Sequence, residues 1–133
     1  MADDIASLKK KIAAIPPSVR AAAVAALDKD ADELVSSMRA LSPVRSGKLR
    51  ESIHKEPGST ELQVKVVAGG QLTTKEVREG SGKPYDYAKG VEWGTHEMAA
   101  EPYFFPAYRL LKKRLRSRVK RAITKAAKEA WRA

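Results

Sequence analysis

His96-Glu97-Met98-Ala99-Ala100 opens like the helix of a zinc protease, where histidines four residues apart put two metal ligands on one face and the glutamate between them activates water. The second ligand is missing, because position 100 is alanine and His54, the other histidine, lies far away in sequence. Gly80-Ser81-Gly82-Lys83 has the residue types of a phosphate-cradling loop without its spacing, and reads as a connector. Asp28, Asp30, Asp32 and Glu33 gather four carboxylates, yet no glycine turns the run into a calcium loop, so a solvated helix flank is expected. Cysteine is absent, which excludes disulfides and thiolate metal sites. No serine is marked as a nucleophile by its neighbours. The residue pattern therefore predicts no catalytic, cofactor or metal site, and a protein that is not an enzyme.

The charge is uneven. Of 26 Lys+Arg and 16 Asp+Glu, for a net charge of +10, 15 of each sign lie at or before position 107, and 11 basic residues face the single acid Glu129 after it. A neutral body thus carries a basic tail, the footprint of nucleic acid or an acidic protein partner. No apolar stretch approaches the roughly 20 residues of a membrane span, and the start Met1-Ala2-Asp3-Asp4 lacks the basic region of a secretory signal, so a soluble protein of a reducing compartment is expected.

Hydrophobic spacing supplies the elements. Ile5, Leu8 and Ile12 predict a short helix ended by Pro16-Pro17, and Pro17 can open a second one. Val19, Ala23, Leu27, Leu34, Met38 and Leu41 form one stripe of a helix over 17–41 that stops before Pro43. Ser46 can cap a turn or two in which Leu49 and Ile53 share a face. Leu62, Val64 and Val66 alternate with polar residues as in a half-buried strand, Thr73 to Val77 is a weaker strand, and Tyr85 to Trp93 is predicted to be extended. Gly69 to Thr74 and Glu79 to Pro84 are expected to be connectors that order only on assembly. Tyr108, Leu111, Leu115, Val119, Ala122, Ala126 and Ala130 fall on one side of a last helix, with Lys113, Arg114, Lys120, Arg121, Lys125 and Lys128 on the other. The fold expected is α+β: N-terminal helices, a small antiparallel β-sheet and a long basic C-terminal helix packed on it. At this length one domain over 1–133 is expected, made of a helical arm (1–16), a long helix (17–41), a motif and sheet region (42–105) and the basic helix (106–133).

Two motifs remain. The first is Ser42-Pro43-Val44-Arg45-Ser46-Gly47-Lys48-Leu49-Arg50-Glu51-Ser52-Ile53, and the second is Tyr87-Ala88-Lys89-Gly90-Val91-Glu92-Trp93-Gly94-Thr95, continuing into Pro102-Tyr103-Phe104-Phe105-Pro106-Ala107. In this order and spacing they resemble the signature of the gene-product-ten-like family of lambdoid tailed phages, from about Pro17 onward. Three positions depart from it: Arg45-Ser46 stands where Asp-Thr is usual, Gly90 where a larger residue is common, and Tyr103 where Phe is usual. Gly90 is expected to loosen a strand.

The resemblance implies a structural virion protein, a head-tail connector or tail-completion subunit of the neck, built in the host cytoplasm. No catalytic residue comes with it. A neck surrounds a channel, so a closed ring of copies is expected, six by analogy with tail tubes, touching adjacent neck and tail proteins and genomic DNA. Gly47, Leu49, Glu92, Trp93, Gly94, Thr95, Tyr103 and Phe104 are the candidate subunit or partner contacts, and Glu92 is expected to pair with Arg45, Lys48 or Arg50. The basic face of the last helix has three destinations: the DNA channel, an acidic partner, or solvent. The competing reading is a stand-alone basic nucleic-acid-binding module, for which the basic helix speaks and the lack of a recognition motif speaks against.

Overall fold

The computed structural model describes residues 2–76, 80, 82 and 84–132. Helix α1 (Ala2–Ala13) is joined to α2 (Pro17–Leu41) through Ala14, Ile15 and Pro16. Pro16 adopts a polyproline conformation (φ −55°, ψ 141°), and Pro17 opens α2, where a missing N–H leaves nothing unpaired. At the other end the Ser42 N–H reaches the Met38 carbonyl at 2.9 Å and its hydroxyl donates to the Arg39 carbonyl at 2.8 Å, just before Pro43. Gly47, at φ +82°, turns the chain into the short α3 (Lys48–Ser52).

The single small sheet expected from the sequence is two separate ribbons. Strand β1 (His54–Pro57) pairs antiparallel with β2 (Val64–Val67), His54 opposite Val67 and Pro57 opposite Val64. A one-turn 3-10 helix over Gln71–Thr73 leads into β3 (Thr74–Glu76), which pairs antiparallel with β4 (Pro84–Asp86). Val77 and, from the second expected connector, Glu79, Ser81 and Lys83 lie outside the described residues. The segment predicted to be extended over 85–93 is instead the end of β4 followed by a helix, α4 (Tyr87–Trp93). Helix α5 (Phe104–Arg132) then runs to the end of the described chain.

Helix α5 lies along α2, the most extensive contact in the molecule, while the β1–β2 ribbon rests on α2. The core sits at the start of α5, where Leu34, Val35 and Met38 of α2 meet Leu49 and Ile53, Ala88 and Val91 of α4, and Tyr103, Ala107 and Leu115. Val66 and Ala68 pack onto this cluster, so the sheet meets the last helix at its first turn. The predicted stripes hold in part. Leu41 is 45% exposed because α2 ends before its face meets a partner, and α5 buries only Ala107 and Leu115. Toward its C-terminus α5 has no core of its own to enter.

Candidate functional site

The second motif builds a joint of capped helix ends. Asp86 caps α4: its carboxylate accepts from the Ala88 N–H at 3.0 Å, from the Gly70 N–H at 2.8 Å and from the Thr73 hydroxyl at 2.5 Å. Burial opposes its charge, but these donors outweigh burial and hold the carboxyl below its usual range. The same bonds tie the Gly69–Thr74 connector to the body of the chain, with Thr73 fully buried. Asp86 was not among the predicted site residues, although an aspartate directly before a short helix is a recognisable cap signal.

Glu92 does the same at the start of α5. Its Oε2 accepts from the N–H groups of Tyr103 (2.7 Å) and Phe104 (2.9 Å), and its Oε1 from that of Phe105 (3.0 Å). The expected pairing of Glu92 with Arg45, Lys48 or Arg50 is therefore replaced by three backbone donors at the positive end of a long helix, where a buried carboxylate is well placed. Between the two caps the Tyr103 hydroxyl donates to the Ala88 carbonyl at 3.0 Å, and burial, with the Glu92 and Asp86 charges nearby, pushes its pKa up to about 12. The Glu101 N–H donates to the Val91 carbonyl at 2.8 Å, closing the loop from α4 to α5.

Two glycines make this geometry possible. Gly94, at φ +80°, ends α4 so closely under the returning loop that a Cβ would stand 2.9 Å from the Ala100 nitrogen. Gly90 does not loosen a strand; it is a buried residue of α4, and a side chain there would collide with the Tyr85 hydroxyl.

The two motifs face each other across a cleft of about 640 Å³. Pro43, Ser46, Gly47 and Leu49 line one side, and Tyr87, Val91, Thr95 and Met98 the other. Arg45 spans the rim, donating to Glu101 at 2.9 Å and to the Met98 sulfur at 3.4 Å. Among the described residues no group of three or more histidine, cysteine, aspartate or glutamate side chains could hold a metal ion.

Leu49, Glu92 and Tyr103, three of the eight motif residues read as partner contacts, are buried within the chain's own core. Gly47 and Gly94 shape turns, and Thr95 lies on the cleft. The outward residue is Trp93, 63% exposed, its ring 5.4 Å from that of Phe105, which is 41% exposed. Phe104 stands edge-on to both Tyr103 and Phe105, so an aromatic patch covers the joint between α4, β2 and α5.

The acidic run on α2 is a solvated flank only in part: Asp28 and Asp32 are exposed, whereas Asp30 and Glu33 turn toward α5. Arg118 of α5 donates to Asp30 at 2.7 Å and to Glu33, and Arg114 pairs with Glu33 at 3.0 Å. Lys55 of β1 bridges Asp28 and Asp32, both at 2.7 Å. Burial lifts the Asp30 carboxyl above its usual range, while the Arg118 guanidinium holds Glu33 below. Arg114, expected on the free basic face, is therefore tied to α2. Lys113 and Lys120 are exposed beside Lys112 and Arg116, around a depression of about 370 Å³. Arg121, Lys125 and Lys128 are exposed further along α5.

No curated protein and no solved structure matches the chain. A family model does, the one described as "Bacteriophage HK97-gp10, putative tail-component", over residues 6–94. The match begins within α1 at Ala6 and takes in α2, the first motif and the second motif as far as Gly94, where it stops short of the aromatic entry to α5. Among the described residues no helix is long and apolar enough to cross a membrane. By a match over well over half of its length, the chain belongs to the HK97-gp10-like family, a structural tail component of a bacteriophage virion.

Proposed function

We propose that this chain is a subunit of the phage neck that joins head to tail or completes the tail, acting as one unit in a closed ring of copies and without catalysis. The observation that carries the reading is the outward aromatic pair Trp93 and Phe105, set on the hydrogen-bonded joint of α4 and α5. Large exposed aromatic surface on a fixed base is costly in water and typical of a contact waiting for a partner. The family supplies the setting, since a tail component works among other tail proteins. A ring around the channel needs two unlike faces on each subunit. Six copies match a six-fold tail tube by analogy, and assembly takes place in the host cytoplasm.

The test is electron microscopy of lysates from a prophage lacking this gene, complemented with the native chain or with Trp93→Ala/Phe105→Ala. The proposal expects DNA-filled heads apart from tails, or tails of abnormal length, in the deletion and in the double variant. Normal particles in the deletion overturn it.

The exposed cations of α5 favour one further contact. Lys112, Lys113, Arg116 and Lys120 turn away from the ion pairs made by Arg114 and Arg118 and crowd one depression, a form suited to phosphate or to an acidic protein surface. If DNA in the channel is the partner, binding to a duplex of arbitrary sequence weakens steeply with salt and Lys113→Ala/Lys120→Ala flattens that slope. If no duplex binds at low salt, or Lys113→Ala/Lys120→Ala binds it as well as the native chain, the acidic-protein reading replaces it.

A further inference from the structure

Beyond Leu115 the two long helices stop filling the space between them. An apolar groove of about 450 Å³ opens there, walled by Val19 and Leu27 of α2, by Leu62, and by Val119, Ile123 and Trp131 of α5. Trp131 is 84% exposed at its far end. The groove shares Leu27, Val119 and Ile123 with an adjoining depression whose rim carries Lys112, Arg116 and Lys120.

Helix α1 has the complementary problem. Ile5 and Leu8, one turn apart, are each 57% exposed, and α1 makes no extended contact with another element among the described residues. A helix of 12 residues is too short to persist in water without packing one face. Its connection begins at the end of the groove, which Ile15 and Pro16 help to line, yet α1 leaves the groove open. Ile15 and Pro16 both precede a proline, which bars them from the helical region, and Pro16 is accordingly extended. Those extended conformations disfavour a tight fold-back of α1 over α2.

We propose that α1 of one copy fills the α2–α5 groove of the next copy. The lengths agree, since α1 and the stretch from Val119 to Trp131 each span about 18 Å of helix rise. The charge at one end sets the direction: Asp4 at the start of α1 lies toward the Lys112, Arg116 and Lys120 rim. In that orientation Ile5 meets Val119, and Leu8 meets Ile123 and Ala127. Arm and groove are unlike surfaces at different places on the chain, so each copy offers one of each, which is the head-to-tail contact that closes a ring by rotation. The inference deepens the ring reading above and rests on it.

The chain contains no cysteine, so introduced ones report cleanly. Full-length Leu8→Cys, carrying a size tag, is mixed with full-length Ala127→Cys and oxidised. The double variant is oxidised alone, and self-association of the native chain and of Leu8→Asp is followed by light scattering. The expected result is a disulfide between the two chains of the mixture and a roughly hundredfold weaker self-association of Leu8→Asp, the worth of one buried leucine replaced by a charge. A disulfide closed only within single chains of the double variant overturns the exchange, because the arm then covers its own groove. No cross-link, with self-association unaffected by Leu8→Asp, overturns the exchange and leaves the ring standing. A chain monomeric at every concentration overturns both. Far-ultraviolet circular dichroism shows whether Leu8→Asp keeps α2 and α5, and the cysteine mixture decides the question without that variant.

Discussion

The two ends of the α2–α5 pair differ in how far the chain satisfies itself. At the start of α5 every strong group has an internal partner: Glu92 covers three N–H groups, Asp86 three donors, and Tyr103 a carbonyl. At the far end the same two helices leave an apolar groove, an exposed Trp131 and an arm with its apolar residues in water. The first end spends its chemistry on stability and holds an aromatic patch in place. The second leaves its apolar surface uncovered, as the exchange proposed above requires.

The comparison breaks most directly at Glu92. Glu92→Ala leaves three N–H groups of a buried helix start without an acceptor and is expected to cost roughly 3 kcal/mol in urea unfolding. Glu92→Gln keeps one acceptor oxygen and recovers part of the loss. A cost near zero for the alanine variant would remove the distinction between the two ends.

Next in size is the ion-pair set between the helices. Arg118→Met leaves Asp30 buried beside Glu33 and lowers the unfolding midpoint, whereas Arg118→Met combined with Asp30→Leu restores it, because an apolar pair has no charge to desolvate. Glu33, held low by Arg118, contributes stability that is present above the ordinary carboxylate pKa and is lost as pH falls through its lowered value. Acid titration of native and Arg118→Met unfolding should show that arm shrink in the variant.

Tyr103→Phe removes one hydrogen bond and is expected to cost about 1 kcal/mol at neutral pH. It also sharpens the comparison at alkaline pH. The phenol pKa is raised from 10.0 to about 12, so its contribution is complete below pH 10 and disappears as pH rises through 12. Denaturation followed at increasing pH should fall more steeply for the native chain than for Tyr103→Phe.

The smallest effect belongs to the open end. Trp131→Ala, at a residue 84% exposed, should leave monomer stability within about 0.5 kcal/mol of the native value while weakening self-association measured by light scattering. A large loss of monomer stability would show that the groove is already closed within one chain.

Much of the fold was legible where a signal repeats. Helix α2 was legible with its observed limits because 25 residues give seven turns of pattern between Pro17 and Pro43. Helix α4 was misread because seven residues give two turns, and Tyr87, Val91 and Trp93 carry strand preference. The better signals were its ends, Asp86 as cap and Gly94 as stop. At the site, the turn roles of Gly47 and Gly94 were visible from residue type alone, since few other residues accept a positive φ. The partner of Glu92 was not visible. Charge matching looks for cations, and its partners are backbone N–H groups identical in every residue but proline.

By itself the sequence determined every helix but α4, the neutral body with its basic tail, and the two motifs that mark the family, because each is a property of neighbouring or regularly spaced residues. The tertiary structure alone decided which charges are spoken for. Asp30 and Arg118 are 88 positions apart, and only the packing of α5 along α2 brings them to 2.7 Å. It also decided which apolar residues remain in water. Ile5 and Met38 read alike as stripe positions, but one is 57% exposed and the other 1%, because burial depends on what lies opposite and no local pattern carries that.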